Sequence, residues 1–201
     1  EDIIPGSEQF YPILYEKYDS IINYLDDFVF FLQFCKVVQA MAKSLNKAMQ
    51  AYRAALQTGQ IQHAYRGLLA FMLKLRTHLS NKYPAGYTAS SLHQGAMDIS
   101  YFAFTPDALR QKKLKVAIVF NHEATQFELW LTGQNKAMHK KYWNVFRNSN
   151  WTKDNIAPTP EHMVLRETIV GTPNFDQLDE LMIEIEERLM TFIQEISVVL
   201  T

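Results

Sequence analysis

Two apolar segments separated by four residues constrain the fold of this chain more than any other feature. They are Lys115–Asn121 and Gln126–Thr132, and both are crowded with β-branched and aromatic residues. The link between them is the tetrad HEAT at positions 122–125. Two such segments joined by a short polar link are typical of a β-hairpin. The sequence therefore predicts that a sheet built around this hairpin organises the rest of the chain.

Helical periodicity dominates the part of the chain that precedes the hairpin. Apolar residues recur at steps of three and four between Leu14 and Cys35, which predicts an amphipathic first helix. Its second half is rich in phenylalanine, so we expect burial either in the core or against a second copy of the chain. The same periodicity predicts a second helix over residues 45–57 and a third from Gln60 to about Ser80, with a glycine between them.

The elements around and after the hairpin complete the predicted order. Residues 97–104 and 162–170 predict strands, and Thr105 is expected to cap a short helix. Two longer helices are predicted, one over residues 135–147 and one that starts from a capping box at Asn174 and Gln177. N-terminal helices are thus followed by the order strand-strand-strand-helix-strand-helix. This order predicts an α+β fold with a roughly four-stranded mixed sheet packed with helices, which is restriction-endonuclease-like in its sequence of elements.

Length and composition bound the domain organisation and the class of protein. The chain has 201 residues, a formal net charge of −1 and a single cysteine. We expect one α+β domain over residues 45–201, preceded by a helical extension over residues 1–44. One cysteine excludes an internal disulfide and a cysteine-ligated zinc site. The most apolar run, residues 28–34, is far shorter than the ~20 residues of a membrane-spanning helix, so we expect a soluble, cytoplasmic protein without a membrane partner.

Three residues of the hairpin are the candidate catalytic groups. His122 and Glu123 occupy the predicted turn, where an imidazole beside a carboxylate suits proton transfer or metal binding, although hairpin turns are ordinarily polar. Glu128 lies within the second strand, on the sheet face that it shares with Trp130, and must there be exposed or paired. Restriction-endonuclease-like nucleases carry acid-x-lysine on this strand, where the carboxylate holds Mg²⁺ and the lysine steadies the attacking water, and here Trp130 replaces the lysine. The sequence therefore favours a protein that is not an enzyme, and it predicts no metal site and no cofactor.

Two groups of side chains are candidate ligand-binding residues. The first group surrounds the end of the third helix and the first strand, and comprises Arg76, His78, Tyr87, Asp98 and Tyr101. The second group is a cationic and aromatic surface on the helix after the hairpin, formed by Lys140, Lys141 and Trp143. Cations beside aromatic rings suit nucleic-acid binding, so a nucleic acid is one candidate partner. Solvated helix faces and favourable helix dipoles are the simpler explanations of both groups.

Three stretches of the chain carry a resemblance to a known family. They are residues 59–84, 95–143 and 173–186, the last of which reads PNFDQLDELMIEIE. Together they resemble a bacterial family of uncharacterised proteins, a domain of unknown function, over about residues 45–200. The resemblance implies no activity, cofactor or catalytic residue. It implies only that a recurring pattern includes Arg76, Tyr101, Phe120, His122, Trp130, Lys141, Tyr142 and Trp143.

The function most consistent with these observations is that of a non-enzymatic binding or interaction domain. Its partner is not specified by the sequence, and a homodimer through the phenylalanine-rich first helix is one option. The first alternative is a divergent nuclease-like or hydrolytic domain built on His122, Glu123 and Glu128, in which the replacement of the lysine by Trp130 favours an inactive form. Nucleic-acid binding through the lysine and tryptophan surface is the second alternative.

Overall fold

The computed structural model describes residues 45–151 and 153–200. The predicted first helix, Cys35 and the possible dimer contact lie outside these residues. By its contacts the chain divides into two units, Glu1–Ala64 and Tyr65–Thr201, and the boundary predicted after residue 44 stays a prediction. In the described part of the first unit, residues 45–57 form helix α1, as predicted. Helix α2 spans Gln60–Lys82 and begins after Gly59, whose positive φ of 71° suits a glycine between two helices.

The hairpin is confirmed almost residue for residue. Strand β4 spans Leu114–Asn121 and strand β5 spans Gln126–Gly133, and they pair antiparallel over their full length. The turn is closed by Asn121, whose Oδ1 accepts a hydrogen bond from the amide of Ala124 at 3.1 Å. Thr125 completes the turn at a φ of +51°. This hairpin forms the centre of the sheet.

The sheet has six strands and is antiparallel throughout the described residues, so the prediction of a mixed sheet of about four strands is wrong. Strands β1 (Tyr87–Ala89) and β2 (His93–Gln94) both pair with β3 (Ile99–Pro106), and the order continues through β4 and β5 to β6 (Leu165–Val170). Leu165 pairs with Leu131 near the end of β5, so the connection from β5 to β6 leaves and re-enters the sheet at the same end of these two strands. The helix within that connection therefore does not cross the sheet, and β6 runs antiparallel to β5.

Alternation along the strands gives the sheet two different faces. One face carries the apolar core, formed by alternate residues such as Ile118 of β4 and Leu129 of β5, both fully buried. Buried residues of α2 and of helix α5, Leu178–Val199, belong to the same core. Because successive side chains of a strand point to opposite faces, every second residue projects away from this core. The second face of the sheet holds the candidate site.

The helices next to the hairpin differ in detail from the prediction. Helix α4 spans Lys136–Arg147 and is capped by Asn135, whose Oδ1 accepts a hydrogen bond from the amide of Met138 at 3.0 Å. Its buried residues recur at His139, Tyr142 and Phe146, a narrow stripe that excludes Val145. An apolar helical stripe over this segment would include Val145, but 37% of Val145 is exposed.

Two predicted helix caps are also wrong. Helix α3, Asp107–Gln111, has Pro106 at its N-cap without a side-chain hydrogen bond. Thr105 instead accepts a hydrogen bond from the amide of Val116 at 3.3 Å, inside the sheet. At α5 the N-cap is Gln177, and Asn174 donates to its side chain at 2.6 Å from the preceding turn. Within the described residues no helix is long and apolar enough to cross a membrane.

Candidate functional site

The second face of the sheet is concave because two small residues lie opposite each other at its centre. Ala103 of β3 pairs with Ala117 of β4, and Ala117 pairs in turn with Trp130 of β5. Larger side chains border this pair, including Tyr101 two residues along β3 and Lys115 two residues along β4. The alanines leave room where two bulky residues would fill it. A cavity with a floor of two alanines follows from this register.

This cavity has a volume of about 760 Å³ and opens on the second face of the sheet. Its side chains include two cations and three imidazoles, contributed by Arg110, Lys115, His93, His139 and His162. Tyr101 and Trp130, both half-buried, form aromatic parts of the wall. Among the described residues that line the cavity, none is an aspartate or a glutamate. A cavity with this lining favours an anionic ligand.

His139 is the buried polar group of the cavity wall. The side chain is 8% exposed, and its Nδ1 lies 3.2 Å from the carbonyl oxygen of Glu161. Its other ring nitrogen, Nε2, is buried and has no hydrogen-bond partner within the part of the chain that the structure describes. An unpaired buried polar atom costs about 1–3 kcal/mol, and native proteins have few of them. This nitrogen is closed off from solvent, so it is not a contact atom for a ligand in the open cavity.

Gly133 explains how His139 reaches the sheet. A Cβ atom on Gly133 would lie 2.8 Å from the backbone nitrogen of His139 and 2.8 Å from the Cβ of Met138. Both distances are shorter than real carbon contacts, so only glycine lets the first turn of α4 lie this close to the end of β5. Helical periodicity alone does not indicate that His139 is buried, because its close contact is with Gly133, a residue that precedes the helix.

Glu128 lies on the same sheet face and is completely buried. Its two oxygens accept hydrogen bonds from five nitrogen donors, at 2.7–3.2 Å, on Asn121, Gln126, Trp130 and, through two atoms, Arg166. Burial alone would raise the pKa of this carboxyl, but Arg166, Gln126 and Trp130 together hold the pKa below its ordinary value. Glu128 is therefore ionised and fully engaged. It fixes the indole of Trp130 beside the cavity.

His122 and Glu123, the other candidate catalytic residues, are not brought together with Glu128. His122 lies on the core face of the sheet, with its ring 5.2 Å from that of Phe120 and its Nε2 2.9 Å from the hydroxyl of Ser100. Burial lowers the pKa of His122, and the charge of Asp98 opposes this shift. Glu123 is exposed in the turn. Within the described ranges no group of three or more His, Cys, Asp or Glu side chains could hold a metal ion.

Of the ligand-binding candidates near the end of α2, Tyr101 lines the cavity, with its ring 4.8 Å from that of His93. Arg76 reaches the rim, where its Nε donates to the carbonyl oxygen of Ser90 at 2.6 Å. The other candidates make local contacts. Tyr87 stacks on Phe104 at 5.0 Å, and the Oδ1 of Asp98 accepts from the amide of Ile99, which helps to lower the pKa of Asp98.

His78 belongs to a separate polar cluster between α2 and α5. Its Nε2 lies 2.7 Å from Oε2 of Glu186, whose Oε1 accepts from Lys82 and Tyr83 at 2.6 Å each. Burial would raise the pKa of Glu186, but Lys82, Tyr83 and His78 lower it to about 2. Glu186 is only 5% exposed and connects the two helices, whereas the nearby Glu184 and Glu187 of α5 face solvent.

The cationic group on α4 lies outside the cavity. Lys140 and Lys141 are exposed, and the ammonium of Lys141 lies 5.1 Å from the ring centre of Tyr142. Trp143 donates its Nε1 to the carbonyl oxygen of Ala157 at 2.7 Å, and the guanidinium of Arg147 covers its ring at 4.7 Å. The ring of Trp143 is thus already in contact with a cation of the same helix, which leaves less of it for stacking on a nucleic-acid base.

The fold and site together define an α+β domain with an antiparallel sheet, one apolar face and one face that carries a cation-lined cavity. The chain belongs to the DUF7000 family, described as a domain of unknown function, whose model matches residues 45–200. This confirms the resemblance to a domain of unknown function over about residues 45–200, while the bacterial origin of the family stays a prediction. Comparisons with curated proteins and with solved structures found no match.

Proposed function

We propose that this domain binds a small organic anion in the cavity on the second face of its sheet. The observation that carries the proposal is a cavity wall with two cations, Arg110 and Lys115, and no carboxylate among the described residues that line it. The proposal gives a specific form to a non-enzymatic binding domain. Because the chain has one cysteine and so needs no oxidising compartment, we place this activity in the cytoplasm.

The charge of the wall supports an anionic ligand. Lys115 has no ion-pair partner among the described residues, although it lines the cavity between Thr105 and Thr132. Arg110 is paired with Asp107 at 3.0 Å, but both side chains are largely exposed. Exposed pairs of this kind contribute about 0–1 kcal/mol, so Arg110 can leave Asp107 for a ligand at little cost. An anion therefore finds two cations at one end of the cavity.

The aromatic wall supports a ligand that also has a flat or ring-shaped part. Trp130 is held in one orientation by its hydrogen bond to Glu128 at 2.7 Å, so its ring loses little entropy when a ligand binds. Stacking of a ring on an aromatic side chain contributes roughly 1–3 kcal/mol. A pre-oriented indole next to Lys115 favours a ring and an acidic group in the same ligand.

Isothermal titration calorimetry with phenyl phosphate, malate and neutral phenol tests the proposal. The two anions are expected to bind and phenol is not. Lys115→Met is expected to weaken anion binding about tenfold or more, since a hydrogen bond to a charged group contributes about 1.5–3 kcal/mol. Lys136→Met, which removes an exposed lysine of α4 outside the cavity, is the matched control. Absence of binding, or equal loss in both variants, would overturn the proposal.

A divergent hydrolytic domain, with a restriction-endonuclease-like arrangement, has less support as an alternative. The oxygens of Glu128 are occupied by nitrogen donors, His122 lies on the other face of the sheet, and all strand pairs described are antiparallel. The alternative of nucleic-acid binding rests on the exposed lysines of α4, Lys140 and Lys141. Salt-dependent binding of an oligonucleotide, lost in a Lys140→Ala and Lys141→Ala double variant, would favour it.

A further inference from the structure

Trp130 differs from the other two tryptophans of the chain in what covers its ring. The ring of Trp143 lies under the guanidinium of Arg147 at 4.7 Å, and the ring of Trp151 contacts that of Phe146 at 5.3 Å. Among the described residues no aromatic ring stacks on Trp130 and no cation lies over it. Trp130 is half-buried and lines the cavity. Its ring is therefore an aromatic surface in the cavity wall that no described ring or cation occupies.

Glu128 holds this ring in place through one of its two oxygens. Oε2 accepts hydrogen bonds from the indole of Trp130 at 2.7 Å and from Nε of Arg166 at 2.8 Å. Oε1 accepts three more, from Asn121, Gln126 and Arg166, at 2.7–3.2 Å. Because Glu128 is fully buried, its bond to the indole is shielded from water. The indole is thus oriented before a ligand arrives, which lowers the entropy that binding costs.

The register of the sheet places the indole near a cation of the cavity. Lys115 pairs with Thr132, and Ala117 pairs with Trp130. Trp130 therefore lies one strand across from Lys115 and two residues along. Strands lie about 4.8 Å apart and alternate residues about 6.8 Å apart, so these two Cα atoms are separated by about 8 Å. One small molecule can place a ring on the indole and an acidic group beside the ammonium.

We infer that the ligand of the cavity is an aromatic anion, whose planar ring stacks on Trp130 and whose acidic group binds Lys115. An aromatic ring gains more from an indole than a saturated ring of the same size does, because the two π-systems attract each other in addition to burying area. Glu128 is a positioning residue, since it is fully buried and contacts the indole. This inference rests on the proposed function and specifies the class of the anion and the residue that selects it.

A matched pair of phosphate esters tests the inference. Phenyl phosphate and cyclohexyl phosphate both carry a phosphate on a six-carbon ring, and only the first ring is aromatic. By calorimetry the wild-type domain is expected to bind phenyl phosphate about 2–10-fold more tightly than cyclohexyl phosphate. This comparison uses the wild-type protein, so it tests the inference even where a variant fails to fold.

Two tryptophan variants locate the surface on which the ring stacks. Trp130→Leu is expected to reduce the preference for phenyl phosphate to about onefold. Trp143→Leu is the matched control and is expected to keep the preference, since Trp143 does not line the cavity. Circular dichroism and thermal melting show whether both variants fold.

Glu128→Gln tests the positioning role. An NH₂ group in place of Oε2 would face two donors, and in place of Oε1 it would face three. The amide is therefore expected to turn its NH₂ group toward Trp130 and Arg166, which leaves the indole without its acceptor. The preference for phenyl phosphate should then fall toward onefold. A purely structural role would weaken both esters equally and leave the preference unchanged. Glu123→Gln, in the exposed turn, is the control.

The possible failures separate the inference from the proposed function. If the two esters bind the wild type equally, or if malate binds and neither ester does, the aromatic class is wrong and anion binding stands. If the preference survives in Trp130→Leu, the ring does not stack on Trp130. If it survives in Glu128→Gln, Glu128 does not position the indole for binding. If neither ester nor malate binds, the inference and the proposed function both fail.

Discussion

The carboxylate of Glu128 and the guanidinium of Arg166 form a two-point ion pair across neighbouring strands, with N–O distances of 2.8 and 2.7 Å. The second face of the sheet depends on this pair. Glu128 is fully buried, while 47% of the Arg166 side chain is exposed, so the pair lies at the boundary between protein and solvent. Glu128 also accepts a hydrogen bond from the indole of Trp130, which connects the ion pair to the wall of the cavity.

Glu128→Gln is expected to lower the free energy of unfolding by about 2–3 kcal/mol. The glutamine amide keeps the volume of the side chain but carries no negative charge. Its NH₂ group replaces an oxygen that accepted hydrogen bonds, so the surrounding nitrogen donors lose an acceptor. Urea denaturation measures the loss, and tryptophan fluorescence reports the release of Trp130. Glu123→Gln, in the exposed turn, is the control and is expected to change stability by less than about 0.5 kcal/mol. Similar stabilities for the two variants would contradict the central place of this ion pair.

Acid is expected to destabilise the domain through Glu186. Its folded pKa of about 2 lies below the ordinary value of 4.5, so the folded state favours the ionised form. The resulting stability is fully present above pH 4.5 and is lost as pH falls toward 2. We expect a contribution of about 2 kcal/mol, less than the full shift implies because Lys82 is half exposed.

Unfolding at pH 6 and at pH 3 measures this contribution. Glu186→Gln is expected to be less stable than the wild type at pH 6 and to approach it at pH 3. Glu187→Gln changes the neighbouring exposed carboxylate and is the matched control. A gap between wild type and Glu186→Gln that stays constant with pH would show that Glu186 stabilises by packing and not by charge.

Tyr83 is expected to titrate late because it donates to the same carboxylate. The hydrogen bond to Glu186, with burial and the negative charge, raises the pKa of Tyr83 to about 12. An ultraviolet titration of the wild type should therefore show one tyrosine that ionises later than the ordinary value of 10. In Glu186→Gln this late component is expected to move toward the ordinary value. If it persists unchanged, burial and not the hydrogen bond causes the shift.

The close approach at Gly133 gives a matched pair of glycine variants. Gly133→Ala is expected to destabilise the domain by about 1–3 kcal/mol, because its Cβ would meet the backbone of His139. Gly171→Ala is the control, since a Cβ at Gly171 meets no atom within 4 Å. Thermal melting compares them. A destabilised Gly171→Ala beside an unaffected Gly133→Ala would contradict the contact between β5 and α4.

Local patterns were sufficient to predict the central strands and the long helices. The hairpin follows from alternation on both sides of a short turn, and α2 and α5 follow from long apolar stripes. Strands β1 and β2 could not be predicted, since three and two residues show no period and these strands form only by pairing with β3. The direction of β6 depends on where the chain returns after α4, which no local pattern encodes.

The candidate site could be predicted only in part, for a related reason. The sequence required Glu128 to be exposed or paired, but its partner Arg166 is 38 residues away and carries no local signal. Tyr101 was among the ligand candidates, whereas the buried state of His139 depends on Gly133 at the end of another element. Ala103 and Ala117 form the floor only because the register places them opposite each other.

A larger side chain in the floor of the cavity is expected to weaken the binding of organic anions without unfolding the domain. In Ala117→Leu the larger side chain would project into the cavity of about 760 Å³, where it displaces a ligand but meets open space. We expect the affinity for organic anions to fall at least about tenfold, with a change in stability below about 1 kcal/mol, since the added carbons lie in the cavity and not in the core. Calorimetry and urea denaturation measure the two effects. Ala137→Leu, on the exposed side of α4, is the control and is expected to bind as the wild type does. Unchanged binding in Ala117→Leu would mean that the ligand lies elsewhere on the domain.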